Sequence, residues 1–133
     1  MVSPLNQRFV GAWELTSFES CGADGVVAKP WGNNPFGLVV WTESGHMSAQ
    51  LGPRDPALGP YVAYCGTLEV DDVGEGTLVH HVLGASAPRL LSDQIRGFHF
   101  LSDDELVLQP PPGPGGVQSV LRWKRLPVTE RIS

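Results

Sequence analysis

Two histidines stand side by side in an apolar, β-branched run, "TLVHHVLGA", at residues 77–85. An imidazole titrates near neutrality, so a histidine in a dry site can serve as general base or acid without large tuning. A histidine pair also invites a metal reading, and local structure weighs against it. A run of this composition is a strand, and neighbours in a strand point to opposite faces. His80 and His81 therefore cannot ligate one ion from inside a fold. A metal site would need one of them with His46 or His99 and a carboxylate. Glu19 is the one acidic residue on an expected inner face, and it lies at a strand end, so neither a metal nor another cofactor is expected. Either His80 faces inward with Leu78 and Val82, or His81 does with Val79 and Leu83; His80 is the preferred member.

Two further side chains would complete an acid–base constellation. Tyr64, in "YVAYCGTLEVD", could donate a hydrogen bond to a carbonyl or enolate oxygen. Arg96, in "QIRGFHF", would hold a carboxylate or stabilise an oxyanion if it faces inward. His80, Tyr64 and Arg96 together suit proton shuffling: isomerisation, cyclisation or dehydration. Nucleophilic catalysis lacks its signature, since there is no G-x-S-x-G and Ser48 lies within a strand. The glycines of "PPPGPGG" precede no helix, so they form no phosphate cradle. The acidic pairs Asp71–Asp72 and Asp103–Asp104 fall in turns and read as solvated.

The elements that must position these groups are short. Sixteen glycines and 12 prolines fall in clusters that cut the chain into brief β-rich segments, which favours an all-β fold. Strands are expected at about 11–19, 36–42, 46–51, 62–70, 77–83, 93–101, 105–109 and 117–126, with hairpin-like spacing. "SPLNQRFV" can open a short N-terminal turn with Ser3 as N-cap and Pro4 at the first helical position. "GPRDPALGP" and "APRLLSDQ" can hold one helical turn each, 110–116 is turn or loop, and the tail from 127 frays. Eight antiparallel strands in one small domain hide both sheet edges best by closing into an up-and-down barrel, with a sandwich as the alternative.

Alternation assigns the inner face of several strands. Trp13, Leu15 and Ser17 face inward, as do Val62, Tyr64, Gly66 and Leu68. Leu106 and Leu108 follow, then Val117, Ser119, Leu121 and Trp123. Three strands stay open: His46, Ser48 and Gln50 against Met47, Ala49 and Leu51; Gln94, Arg96, Phe98 and Phe100 against Ile95, Gly97, His99 and Leu101; and the two histidine faces. A polar residue on either face of three strands points to a lumen carrying polar groups, as ligand binding requires. The expected ligand-contacting set is Ser48, Gln50, Trp41, Trp31, Phe36, His81, His99 and Trp123. Trp31 and Phe36 belong to the segment "KPWGNNPFG" between the first two strands, and their rings could cover an apolar ligand.

Composition narrows the partners. The net charge of −5 and scattered basic residues argue against nucleic acid. No apolar run approaches membrane-spanning length. The start "MVSPLNQRF" has neither a basic nor an apolar signal region, so the expected compartment is the cytoplasm. Cys21 and Cys65 match no zinc or redox spacing and are expected as free thiols. Oligomeric state is not legible.

"GAW" at 11–13 opens the first strand and "LRW" at 121–123 lies in the last, which resembles the G-x-W start and final-strand arginine of the lipocalin fold. "GHMSAQL", "YVAYCGTLEVD", "HHV", "QIRGFHF" and "LVLQPPP" occur in an order similar to that of the bacterial and fungal lipocalin-like domain family, over about 9–125. His46 departs from that pattern, where an aromatic is common. The resemblance implies an eight-stranded barrel around one ligand, with Trp13 closing one end and Arg122 packed across it as a cation–π pair. It also implies a setting in secondary metabolism, where related small barrels include polyketide cyclases and isomerases. The expectation is one barrel domain over 1–133 that takes a small amphipathic substrate and isomerises or cyclises it. A non-catalytic carrier or sequestering protein is the alternative.

Overall fold

A computed structural model describes residues 4–71 and 76–129, with side chains from Asn6 onward. A short helix, α1 (Pro4–Phe9), leads into β1 (Gly11–Cys21), a two-residue β2 (Val27–Ala28), β3 (Pro35–Trp41), β4 (His46–Pro53), β5 (Val62–Asp71), β6 (Thr77–Ala85), β7 (Gln94–Ser102), β8 (Glu105–Gln109) and β9 (Gln118–Arg125). Single 3-10 turns occupy Pro56–Leu58, Pro88–Leu90 and Pro114–Gly116. The last of these lies in the segment expected as turn or loop. Ser3, the expected N-cap, and part of the β5–β6 turn lie outside the described residues.

Each strand from β3 onward pairs antiparallel with the next, and β1 pairs with both β3 and β9. The result is a closed eight-stranded barrel, with β2 as an extra strand on the end of β1. All eight expected strands are present. β2 is too short to leave a periodic signal. The clean alternation of β3, buried at Pro35, Gly37, Val39 and Trp41, shows why one face of each strand must turn inward.

Among the described residues, register shifts interrupt that alternation in three strand pairs, one of them at the end of β7, where Phe100 pairs with Leu106 and Ser102 with Glu105. On β1, Leu15 pairs with Trp123 but Ser17 pairs with Arg122, leaving Thr16 as the extra residue. On β6, Gly84 pairs with Cys65 but Val82 pairs with Gly66, leaving Leu83 extra and 73% exposed. An extra residue reverses which side chains face in. Phe18 therefore replaces Ser17 on the inner face of β1, contrary to strict alternation, and Ala85 packs on the core beyond the β6 bulge.

The end of the barrel under α1 is filled. Phe9, Trp13 and Trp41 are fully or almost fully buried, with Phe98 and Phe100 against them. Phe9 meets Trp41 edge-on at 5.3 Å and Phe100 at 4.9 Å. The Trp13 indole N–H donates to the Phe9 carbonyl at 2.9 Å.

The arginine across Trp13 is Arg125, not Arg122. Its guanidinium carbon lies 4.2 Å from the Trp13 ring centroid. Arg125 is the direct cross-strand partner of Trp13, whereas Arg122 is one bulge away and points to solvent. Arg125 also donates to the carbonyls of Arg8, Val10 and Asp103 and pairs with the Asp104 carboxylate at 3.2 Å. The orphan carbonyls at the end of α1 are thus satisfied by a cation, the sign favoured at a helix C-terminus. Asp103 and Asp104, expected as solvated turn residues, help to hold this plug. Arg125→Met should lower stability by about 2 kcal/mol, and Arg122→Met by no more than about 0.5 kcal/mol. Denaturant unfolding of the two variants compares them, and equal losses would return the role to Arg122.

Candidate functional site

Above the aromatic plug the barrel is hollow. A cavity of about 260 Å³ runs from its middle toward the opposite rim. Val39, Ala49, Leu51, Val62, Leu108 and Leu121 supply much of its apolar wall, while Phe18 and Trp31 border the rim, ring to ring at 4.4 Å. The polar lining comes from Tyr64, His80, Gln94, Arg96, Ser119 and, at the exposed rim, Arg89. Among the described residues no aspartate or glutamate lines it; Glu19, expected inward, is displaced from the inner face by the β1 bulge.

His80 is the inward histidine. It is only 1% exposed and sits between two ring partners. Trp41 Nε1 donates to His80 Nε2 at 3.0 Å, and the Tyr64 hydroxyl lies 2.9 Å from His80 Nδ1. An indole N–H can only donate, so Nε2 must present its lone pair. A neutral imidazole then carries its proton on Nδ1 and donates it to the Tyr64 oxygen. The hydroxyl proton of Tyr64 is left for another acceptor. Burial, with smaller contributions from Arg96 and His81, lowers the His80 pKa to about 3. Protonating Nε2 would also set N–H against N–H at Trp41. His80 therefore orients Tyr64 and holds no free lone pair for a substrate proton. Burial raises the pKa of Tyr64 despite the opposing pull of Arg96, so its hydroxyl stays protonated at neutral pH.

Arg96 lies on the inward set of β7, with Gln94, Phe98 and Phe100. It donates to the Ile95 carbonyl at 2.7 Å and the Gln94 side-chain oxygen at 3.2 Å. Gln94 in turn donates to the carbonyls of Leu90 and Ser92, which ties Arg96 to the turn before β7. No carboxylate pairs with Arg96 among the described residues. Burial lowers its pKa and the nearby Tyr64 raises it, but a guanidinium remains charged at neutral pH.

The other expected contacts divide. Trp31 and Trp123 line the cavity; Trp123 is 4% exposed, and its indole N–H has no acceptor among the described residues. Trp41 lies beneath His80 and does not line the cavity. Ser48 and Gln50 face outward, because β4 buries Met47, Ala49 and Leu51 instead. They border a depression on the outer surface with Cys65, Gly84 and Ser86. Phe36 lies on the outer face of β3, 5.8 Å from Tyr61 and 5.3 Å from the Arg54 guanidinium, so it covers no lumen. His99 is exposed. His81 points outward, with Glu69 at 2.9 Å and Asp93 at 3.2 Å, and these hydrogen bonds raise its pKa.

Strict alternation missed Phe18, because a bulge has no fixed sequence mark. It also missed Arg89 and Leu90, which sit in a turn, and the role of Gln94 in holding Arg96. Leu108, Ser119 and Leu121 stand on expected inner faces and also line the cavity.

The sequence model of the lipocalin-like domain family matches residues 10–60. That match is consistent with the lipocalin-like resemblance and covers the segment from β1 to just before β5. No curated protein matches the chain. Among solved structures, a de novo designed fluorescence-activating β-barrel is similar over 94% of this chain and 100% of its own, with 18% identity and a TM-score of 0.52. A redesigned β-barrel is similar over 92% of this chain and 95% of its own, with 11% identity and a TM-score of 0.51. Both likenesses are likenesses of fold. Among the described residues no helix is long and apolar enough to cross a membrane.

Proposed function

We propose that this lipocalin-like barrel holds one small organic molecule in its hollow half and acts first as a binding protein, a carrier or sequestering factor. The observation behind this reading is the cavity of about 260 Å³, apolar on most sides and furnished with a few convergent polar groups. The bonding of His80 weighs against a histidine base. Both ring nitrogens are committed, and its pKa of about 3 leaves no basicity to offer near neutrality. The free thiols Cys21 and Cys65 suit the cytoplasmic setting that forms part of the proposal.

One observation favours a second reading. Tyr64 keeps a proton to give, beside a guanidinium that can share an oxyanion. A cyclase or isomerase working on a polyketide-like substrate would then use Tyr64 and Arg96 as electrophilic groups, and the barrel wall to fold the substrate and exclude water. It would have no protein base at His80.

Native mass spectrometry of protein taken from its host, followed by incubation of the captured molecule with fresh protein, separates the two. Recovery of the captured molecule unchanged is the expected result. Conversion to an isomer that slows at least about tenfold in Tyr64→Phe supports the enzyme. If a wall-filling variant, Ala49→Phe, captures the same molecule equally well, the cavity is not the site.

A further inference from the structure

Resting on the binding reading above, we infer that the molecule is a compact organic acid, a ring-sized apolar body with its carboxylate seated between Arg96 and Tyr64. Three features of the cavity carry this.

First, the free polar groups of Arg96 and Tyr64 are donors. Tyr64 accepts from His80 and has its own proton left over. The Gln94 oxygen is occupied by Arg96, and the His80 lone pair by Trp41. Arg96 uses two of its five N–H groups on protein oxygens. The Trp123 N–H is buried without an acceptor among the described residues. Such a site selects a ligand group that accepts several hydrogen bonds at once, as a carboxylate does.

Second, the charge is uncompensated. Arg96 is half-buried, and among the described residues no carboxylate pairs with it and no acidic residue lines the cavity. Arg89 adds a second cation at the rim. A cation drawn out of water without a partner is costly, and a ligand carboxylate would remove that cost. The planar fork of a guanidinium matches a carboxylate with two parallel bonds.

Third, the space is short. A cavity of ~150 Å³ lodges benzene, so about 260 Å³ takes a substituted or fused ring rather than a long acyl chain. The aromatic plug blocks any extension past His80.

The test is calorimetric titration at pH 7 with benzoate, 2-naphthoate, and neutral 2-naphthamide and 2-acetonaphthone as shape controls. The acid of matching size should bind about tenfold or more tighter than its neutral analogues. Arg96→Met should abolish that preference, weakening the acid about tenfold or more beyond any change in its neutral analogues, and Tyr64→Phe should weaken the acid more than the neutral analogues. Equal binding of acid and neutral analogue, or a preference that survives Arg96→Met, overturns the carboxylate assignment and leaves the cavity reading standing. Absence of binding by every probe overturns both.

Discussion

Between pH 7 and pH 4 the protein should lose about 3 kcal/mol of stability through His80, a loss that His80→Gln should not share. The folded state holds the imidazole neutral, with a pKa of about 3, while the unfolded chain returns it to its ordinary value of 6.5. As pH falls below 6.5 the unfolded state takes up a proton that the folded state refuses. Stability is therefore full above the unfolded pKa and declines until the folded pKa is reached. His81 works in the opposite direction. Its pKa is raised by Glu69 and Asp93, so its contribution is full below its ordinary value and fades as pH rises through the folded one. The two slopes overlap, and only the difference between wild type and variant isolates His80. Glutamine offers an oxygen to Trp41 and an N–H to Tyr64 without a titrating group, so it should cost only about 1–2 kcal/mol at pH 7. His80→Leu leaves the Trp41 N–H unpaired in the core and should cost about 2–3 kcal/mol. Urea unfolding across the pH range measures all three. A His80→Gln profile parallel to wild type would falsify the neutral, doubly bonded histidine.

Gly66→Ala should be more damaging still, destabilising by at least about 3 kcal/mol. A β-carbon at Gly66 would lie 2.0 Å from the His81 carbonyl oxygen and 2.9 Å from its carbon. Both atoms are backbone, so no side chain can rotate away to make room. The close approach comes from the β6 bulge, where Val82 pairs with Gly66 while Leu83 is thrown outward. Tyr64 and His80 flank this bulge, two residues from Gly66 on one strand and two from Val82 on the other. Any Gly66→Ala protein that does fold should therefore also bind the acid probe more weakly. Chemical denaturation gives the first quantity and titration the second; a loss under about 1 kcal/mol would mean that the β5–β6 pairing relaxes freely.

How much of this was legible in the sequence depends on what sets each feature. The eight strands follow from local composition and turn chemistry, and closure follows from the need to hide two edges. Tyr64 faces inward by plain alternation, given Thr67 and Glu69 on the outside. His80 and Arg96 were left to choose between faces, because apolar neighbours accompany them on either side. Tertiary packing decides those strands: β6 buries Leu78 with His80, and β7 buries Phe98 and Phe100 against Phe9. Ser48 and Gln50 went outward for the same reason, since Met47 and Ala49 fill the core better than a serine and a glutamine. Bulges lie beyond such reading. A single extra residue at Thr16 moved Phe18 inside, and the pairing of β1 with β9 sets Trp13 opposite Arg125 rather than Arg122.

The plug formed by Phe9, Trp13 and Arg125 makes this vessel blind at one end. In the proposed binding role a guest would enter and depart through the same neck, past Trp31 and Arg89, and whichever end leads on entry would come to rest on the floor. Its leading end is fitted closely, while its trailing end faces the opening. Discrimination is then lopsided: one extra methyl group on the leading end is rejected, while tailoring of the trailing end goes largely unread. A family of molecules sharing one head and differing in their tails would look, from inside this barrel, like a single compound.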